Sequence, residues 1–373
     1  MGAGGNKNDV NDDVCKRVPI EKPPFEFSDI KKAIPPHCFE RSLVRSFYYL
    51  FIDLIMVYTC YYLASNYINS ILPKSLVFIA WPIYWYWQGA LFMGLWMLGH
   101  DLSHHSFSDY EWLDDAIGFV IHSSLLTPYF SLKYSHRRHH AHSSSMELDE
   151  GWVPKRKSDK LYSEILNNPL GNLFLTLAKE LAGYPLYLLI NIHGRKYDSF
   201  ASHFYPYSPI YNDRQRGQIW LSIGGVVAFV YGLSKIGGAK WVFCIYGIPW
   251  LVFNVHVIMI TYLNHTHPSL PHYDSKSWDW MRSVLATVDR DYGFIFNHMF
   301  KHITDAHVVH HFFTTMPHYH QVEATKAIKP ILGEYYKYDD TPMLKAFWRD
   351  SKKCIYAEPD EGADDSGIYW FRH

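Results

Sequence analysis

The sequence has few charged residues and no cysteine motif, and both absences narrow the class of protein. Only 19% of the 373 residues are charged, against roughly 25% in an average soluble domain. The five cysteines are scattered and lack a CxxC pair, which excludes a disulfide framework and a zinc site built from cysteines. A net charge of -1 provides no basic face for nucleic acid. With 48% hydrophobic and 17% aromatic residues, the chain is also not disordered, collagenous or a coiled coil.

Four apolar segments are candidates for membrane helices, because roughly 20 helical residues cross a hydrocarbon core. They lie at residues 47–68, 77–98, 219–234 and 241–263. Asp53 lies inside the first segment, where a charge is costly and is expected to face protein. The sequence therefore predicts an all-α integral membrane fold with four transmembrane helices.

The loops between these segments predict the topology. Short loops at residues 73–74 and 235–240 join the segments in pairs, so the remaining chain lies on the opposite side. Lys and Arg are in excess near the membrane on that side, which is typical of the cytosol. We predict a cytosolic N-terminal tail over residues 1–45 and a membrane domain over residues 46–373, with both termini cytosolic.

A cytosolic helical cap is expected from the two long segments outside the membrane, residues 99–218 and 264–373. Two shorter apolar stretches, residues 116–130 and 173–190, are predicted to form interfacial or re-entrant helices. The alternative is one more transmembrane pair, which leaves the topology unchanged. The first thirty residues lack an apolar run, so we expect no secretory signal there and a flexible tail.

Histidine is the residue in excess, with 23 copies. Three clusters have helical spacing, and residues three or four apart share a helical face. The eight candidate ligands are His100, His104, His136, His139, His140, His307, His310 and His311. Imidazole suits zinc, copper, iron and nickel. Since a zinc ion normally takes four ligands, eight imidazoles are too many for one zinc and indicate two metal ions.

Two redox metals beside a membrane favour oxygen chemistry on a lipid. His105 adjoins the first cluster and is expected to support the site or the fold rather than bind metal. A histidine-rich metal transporter is the alternative from another class. Transporters place their polar ligands inside membrane helices near the midplane, whereas these clusters follow or lie between the apolar segments.

The sequence around these residues resembles the membrane-bound, oxygen-dependent fatty acyl desaturases. It is most similar to the plant microsomal oleate delta-12 desaturases and their divergent relatives, the hydroxylases, epoxygenases, conjugases and acetylenases. The most specific strings are Ala-Ile-Pro-Pro-His-Cys-Phe at residues 33–39, Lys-Tyr-Ser-His-Arg-Arg-His-His at residues 133–140 and Thr-Met-Pro-His-Tyr-His at residues 315–320. The resemblance covers nearly the whole chain.

This resemblance implies two Fe ions, an endoplasmic reticulum location and a substrate that is the acyl chain of a membrane phospholipid. It implies O2 as oxidant and electrons from NADH through its reductase and cytochrome b5. The eight histidines would be iron ligands, joined by one from the end of the fourth segment. We favour His265 there, with His267 as the alternative. A homo-oligomer or an assembly with related desaturases stays open.

Carboxylates are expected to orient the imidazoles by accepting their second N–H. The candidates are Asp101, Asp114, Asp115, Asp149, Glu150 and Asp305. We favour Asp305 because it lies two residues before His307.

The neighbours of the ligands depart from the family's usual strings. The first box usually reads His-Glu-Cys-Gly-His-His, whereas Asp101, Leu102 and Ser103 stand in its middle here. Lys301 and His302 replace the usual His-Asn before the third box. We therefore predict desaturation at or near the delta-12 position of an unsaturated C18 chain, or a divergent product from oleate or linoleate. That product would be acetylenic, conjugated, epoxy or hydroxy; we favour acetylenic, because the desaturase string at residues 315–317 is kept.

Overall fold

The computed structural model describes residues 15–158 and 169–372, which are mostly helical. The first helices in chain order are α1 Phe27–Ala33, α2 Leu43–Ile71, α3 Lys74–Ser103, α4 Glu111–Ser124, α5 Tyr129–His142 and α6 Pro169–Ile190. They are followed by α7 Arg216–Ile236, α8 Ala239–His265, α9 Trp280–Leu285, α10 Gly293–Met299, α11 His307–Phe312, α12 His318–Leu332 and α13 Met343–Lys353. Helix α8 contains a π-helical turn at Phe243–Gly247.

Three of these helices, α2, α7 and α8, are long and apolar enough to cross a membrane. The fourth predicted segment lies in α3, whose 30 residues also suffice in length. Its many Trp and Tyr side chains carry polar N–H and O–H groups, which lower its mean hydropathy. Its first half exposes large apolar side chains such as Phe78 and Ile83. That pattern matches a helix whose first half faces lipid.

Helix α3 is the centre of the bundle. It packs against α2, α4 and α8, and α8 in turn packs against α6. Every residue from 88 to 103 of α3 is buried. Such all-round burial explains why this half of the helix has no polar face. The first histidine cluster therefore lies at the end of a buried helix.

The first residues that the structure describes are ordered against the cap, so the expected flexible tail is wrong for residues 15–30. Ile30, Ile34 and Cys38 are fully buried or nearly so and pack with Val309 of α11. Burial of these side chains fixes the segment that leads into α2. Residues 1–14 lie outside the described part of the chain, and the domain boundary after residue 45 stays a prediction.

Short strands correct the all-α expectation to a mostly helical fold. Strands β1 Pro271–Tyr273, β4 Tyr356–Glu358 and β5 Ile368–Arg372 form an antiparallel sheet in the order β1-β5-β4. Strands β2 Val288–Arg290 and β3 Lys337–Asp339 pair in parallel. The strands have at most five residues each, too short to show a reliable period-two pattern in sequence.

The aromatic C-terminus forms strand β5. Trp370 and Phe371 are buried, and β5 pairs with both β1 and β4. These aromatic residues are therefore part of the folded sheet.

The two shorter apolar stretches are helical, with one difference from expectation. Residues 116–130 are not one helix: α4 ends at Ser124, and α5 begins at Tyr129 after Pro128. Proline fits the start of a helix because an N–H there has no acceptor within the helix, so the N–H that proline lacks is not missed. Residues 173–190 lie in α6. Their interfacial or re-entrant position stays a prediction.

Candidate metal centre

Nine imidazoles converge where the ends of α3 and α8 meet α5 and α11. They form two adjoining groups. The five-histidine group consists of His100, His104, His136, His140 and His310. The four-histidine group consists of His139, His265 and His311, together with His307, which lies against two of them. Every histidine that we predicted as a ligand is in one of the groups.

The Nε2 atoms face one another in the five-histidine group. His136 Nε2 lies 2.7 Å from His100 Nε2 and 3.0 Å from His140 Nε2. His310 Nε2 lies 3.1 Å from His140 Nε2, and His104 Nε2 lies 3.3 Å from His100 Nε2. One ring nitrogen of each residue therefore points into a common centre.

The four-histidine group has the same arrangement. His265 Nε2 lies 2.9 Å from His307 Nε2 and 3.3 Å from His139 Nε2. His311 Nε2 lies 3.1 Å from His307 Nε2. The two groups adjoin through His140 and His311, whose ring centroids are 4.2 Å apart.

The sequence clusters are divided between these groups, which corrects the expectation of one shared face per cluster. The pairs four residues apart stay together, as His136 with His140 and His307 with His311. His139 and His310 each join the other group. Three and four residues differ by about 100° around a helix. One short helix can therefore supply both groups.

His265 is in the site and His267 is not. His267 is fully buried, and its Nε2 lies 3.6 Å from a carboxylate oxygen of Asp339. Arg290 fixes this end of α8: its Nε donates to the Leu263 carbonyl at 2.8 Å, and its Nη2 donates to the Thr266 carbonyl at 3.2 Å. These bonds hold His265 between two tethered carbonyls. Sequence reasoning did not single out Arg290.

Asp289 is a second residue that sequence reasoning missed. It lies in β2, and its Oδ1 accepts a hydrogen bond from Val308 N at 2.8 Å, in the first turn of α11. Its Oδ2 accepts from the Tyr336 hydroxyl at 2.7 Å. Burial raises the pKa of Asp289 to about 7. No sequence signal links a residue 19 positions away to this helix start.

Two of the six predicted carboxylates orient imidazoles. Asp149 Oδ1 accepts from His139 Nδ1 at 2.6 Å and is itself held by Gly151 N at 2.7 Å. Asp101 Oδ1 lies 3.2 Å from His100 Nδ1, and its Oδ2 lies 3.2 Å from His318 Nδ1. Such partners fix the ring orientation and the tautomer, which leaves Nε2 free to bind.

The preference for Asp305 is wrong. Its carboxylate accepts from His302 Nδ1 at 3.0 Å, away from the nine imidazoles. The other candidates also have local partners. Asp114 pairs with Ser108, Asp115 with Tyr129 and Lys133, and Glu150 with Arg138 and Tyr197. His105, as expected, is outside both groups, with its Nε2 3.1 Å from Glu111.

Gly151 lets the Asp149 loop approach His139. A Cβ atom at residue 151 would lie 2.6 Å from His139 Nδ1, closer than real contacts allow. The glycine is therefore required by the hydrogen bond between Asp149 and His139, and not by its backbone angles.

Burial and hydrogen bonds prepare the imidazoles for binding metal. Burial, and then the neighbouring rings, holds the pKa of His136, His140 and His310 well below the usual value. Asp149 and Asp101 place the proton of His139 and His100 on Nδ1, so the Nε2 lone pairs face other Nε2 atoms. Lone pairs that face each other repel unless a cation lies between them. Metal–nitrogen bonds of about 2.0–2.1 Å put adjacent ligand nitrogens about 3 Å apart when the bonds are at right angles, and the Nε2 atoms here are 2.7–3.3 Å apart. The residues therefore fit two imidazole-bound metal ions.

A buried ion pair joins the segment before α11 to helix α2. Lys301 Nζ donates to Asp53 Oδ1 at 2.8 Å, and both side chains are almost fully buried. Asp53 therefore faces protein, as predicted. Lys301, one of the departures from the family's string, contacts Asp53 and not an imidazole.

An apolar channel reaches the two groups. The volume of the cavity is about 90 Å³. Apolar and aromatic side chains from α3, α6 and α8 line it, among them Met93, Met97, Tyr184, Val257 and Ile258. Five histidines of the site complete the lining: His100, His136, His139, His265 and His307. The apolar lining beside the histidine groups suits the methylene groups of a hydrocarbon chain.

The fold and the site define a mostly helical protein of membrane type with a histidine cluster able to hold metal. Comparisons with known proteins agree. The profile of the fatty acid desaturase family matches residues 79–342. The Delta(12)-fatty-acid desaturase FAD2 of Vernicia fordii is 54% identical, over 100% of this chain and 99% of the relative. The chain belongs to the fatty acid desaturase family.

Two further relatives are similar over the full length. The Delta(12)-fatty-acid desaturase of Arabidopsis thaliana is 54% identical over 100% of both chains. The bifunctional desaturase/conjugase FADX of Vernicia fordii is 52% identical over 100% of this chain and 99% of its own. The match confirms the family that the histidine spacing and the specific strings predicted.

Proposed function

We propose that this enzyme is an O2-dependent acyl-lipid desaturase that acts at or near the delta-12 position of an unsaturated C18 chain. The observation that carries the proposal is the convergence of nine imidazoles beside an apolar channel. The names of the relatives, delta-12 desaturases among them, support the position of attack. The proposed cofactor is two Fe ions, one for each histidine group.

The chain's own residues would bind and orient the substrate. An unactivated methylene C–H bond requires an oxidant that side chains cannot supply, which is the chemistry that iron and O2 contribute when bound. Met93, Met97, Val257 and Ile258 would hold the acyl chain extended and exclude water. Gly183 permits the close approach of α6 to α8 at the channel, since a Cβ there would lie 3.0 Å from Ile258. Asp149 and Asp101 would keep the imidazoles in place.

A divergent product on the same scaffold is the second candidate. Among the departures from the family's strings, Asp101 contacts an imidazole directly and bridges His100 to His318. A displacement of His100 that changes competing barriers by about 1.4 kcal/mol alters a product ratio tenfold. The similarity to a bifunctional desaturase/conjugase also supports this alternative.

Expression in yeast, with oleate and then linoleate supplied, tests the function. We expect a new double bond from oleate, or a triple-bonded, conjugated, epoxy or hydroxy product from oleate or linoleate. Asp101→Glu, which restores the family's usual residue, should shift the ratio towards plain desaturation if Asp101 sets the product. If yeast that expresses the protein forms no new product from oleate or from linoleate, the proposal is contradicted. If the wild-type protein and Asp101→Glu both form only linoleate, the altered neighbours of the ligands have no effect on the product.

We propose a phospholipid-linked substrate because a second cavity with basic side chains, called the vestibule below, adjoins the channel. Ile192 and His193 line both cavities, and His193 stacks on Trp152 with ring centroids 4.7 Å apart. Lys155, Arg195 and Lys196 line the vestibule. Their positive charge suits a phosphate at the point where the acyl chain would enter.

Charge reversal in the vestibule tests this substrate class. We expect Arg195→Glu to lower the conversion of phosphate-bearing substrate about tenfold, because a carboxylate would repel the phosphate. Arg216→Glu, at the start of α7, is the matched control and should leave conversion unchanged. Conversion of an acyl methyl ester, which lacks phosphate, should be equal in both variants. An equal loss on both substrates would mean that Arg195 is structural.

The proposed topology has four spans, α2, α3, α7 and α8, with the histidine cap and both termini in the cytosol. It is supported by the Lys and Arg residues on the cap side and by the apolar surface of α2 and α3. The proposed membrane is that of the endoplasmic reticulum, because the names of two similar relatives include this compartment. Cytochrome b5 and its NADH reductase are the proposed electron donors.

Glycosylation tags fused at either terminus test this topology. We expect both tags to stay unmodified, because both termini would lie in the cytosol. A modified tag at one end would overturn the even number of spans.

A further inference from the structure

A second cluster of metal-binding side chains lies outside the nine-imidazole site. The 3-10 turn Pro36–Phe39 provides His37 and Cys38, and α12 provides His320 and Glu323. One ligand atom of each residue lies within 4.8 Å of the others. His37, Cys38 and His320 belong to two of the most specific sequence strings, and Glu323 follows three residues after the second. None of the four belongs to the two histidine groups.

We propose that His37, Cys38, His320 and Glu323 bind a zinc ion. One thiolate, two imidazoles and one carboxylate are ligands that tetrahedral structural zinc accepts. Tetrahedral zinc separates its ligand atoms by about 3.3–3.6 Å, given Zn–N bonds of about 2.0–2.1 Å and Zn–S bonds of about 2.3 Å. Here His37 Nε2 lies 3.1 Å from Glu323 Oε2 and 3.7 Å from Cys38 Sγ. The spacing therefore needs only small adjustments.

Charge and burial are compatible with the ion. The thiolate and the carboxylate together offset its two positive charges. Arg45, whose Nη1 lies 3.4 Å from His320 Nε2 and whose guanidinium stacks on Tyr319, then faces a neutral complex. Cys38 is fully buried and His320 nearly so, whereas His37 and Glu323 reach the surface. Zinc can thus enter from solvent.

The ion would fasten the segment before α2 to the helix that follows the third histidine cluster. Cys38 packs in the same apolar cluster as Val309 and Phe312 of α11. Zinc at this point would support α11 from the outside without contacting an imidazole of the site. It would act on the stability of the fold rather than on the chemistry.

Metal analysis of the full-length protein purified in detergent tests the proposal. We expect about one zinc ion per chain, which Cys38→Ser and His320→Gln lose while iron is retained. Cys354→Ser, which changes another buried free cysteine, should keep the zinc. His139→Ala should keep it as well, because that variant affects only the nine-imidazole site. Zinc that persists in Cys38→Ser would overturn the proposal.

Cobalt replacement keeps the test decisive if the variants fail to fold. Wild-type protein loaded with Co2+ should show a thiolate-to-cobalt charge-transfer band together with tetrahedral ligand-field bands. A wild-type chain without zinc and without this band contradicts the proposal. Failure here leaves the desaturase proposal intact, since that rests on the product profile.

Discussion

Replacing His139 or His310 by alanine is expected to abolish turnover while the chain still inserts into the membrane. Each residue belongs to a different histidine group, and each faces the common centre of its group through Nε2. Loss of one metal ligand removes several kcal/mol of stabilisation from the reacting site, so activity should fall at least about a thousandfold. The measurement is product formation in membranes that contain equal amounts of each variant.

His142→Ala is the matched control for these variants. His142 lies on the same helix α5, but its Nδ1 lies 3.2 Å from the Arg138 carbonyl and its ring packs on Trp278. We expect this variant to keep most of its activity and its iron. Wild-type protein should contain about two Fe per chain if each histidine group holds one ion. Substantial product from His139→Ala, or zinc in place of iron in an active preparation, would show that the groups are not the iron site.

Breaking the ion pair between Lys301 and Asp53 is expected to lower the free energy of unfolding by about 3–5 kcal/mol, because the remaining charge is buried without a partner. The pair joins the segment before α11 to the middle of α2, and both side chains are almost fully buried. Lys301→Met or Asp53→Asn should therefore loosen the segment before α11 from α2. The measurement is unfolding of the purified protein in detergent.

The double variant Lys301→Met/Asp53→Leu distinguishes the effect of the ion pair from the effects of other contacts that these two residues make. Replacing both partners with apolar side chains removes the unpaired charge, so we expect most of the lost stability to return. Arg17→Met is the control for ion pairs in general. Arg17 pairs with Asp360 at 2.7 Å on the surface, and its loss should cost at most about 1 kcal/mol. A double variant as unstable as the single ones would mean that Lys301 or Asp53 acts through other contacts.

The sequence alone determined the site and the kind of fold. Helical spacing picked out the eight box histidines because residues three and four apart are neighbours on any α-helix, whatever surrounds it. The apolar segments were visible because a membrane helix must be apolar over its whole length. The placement of Asp53 against protein followed from the cost of a charge in lipid.

Only the tertiary structure decided how these residues are combined. It divided His136 from His139 and His307 from His310, since the two groups are assembled from four chain segments whose approach angles no local pattern encodes. It placed His265 in the site and His267 outside it. It showed that Asp149 and Asp101, and not Asp305, contact the imidazoles. It also revealed the supporting contacts of Asp289 and Arg290. Spacing along the chain predicts contacts only within a helix. Contacts between segments far apart in sequence depend on how the helices pack, and that packing is set by the whole buried core.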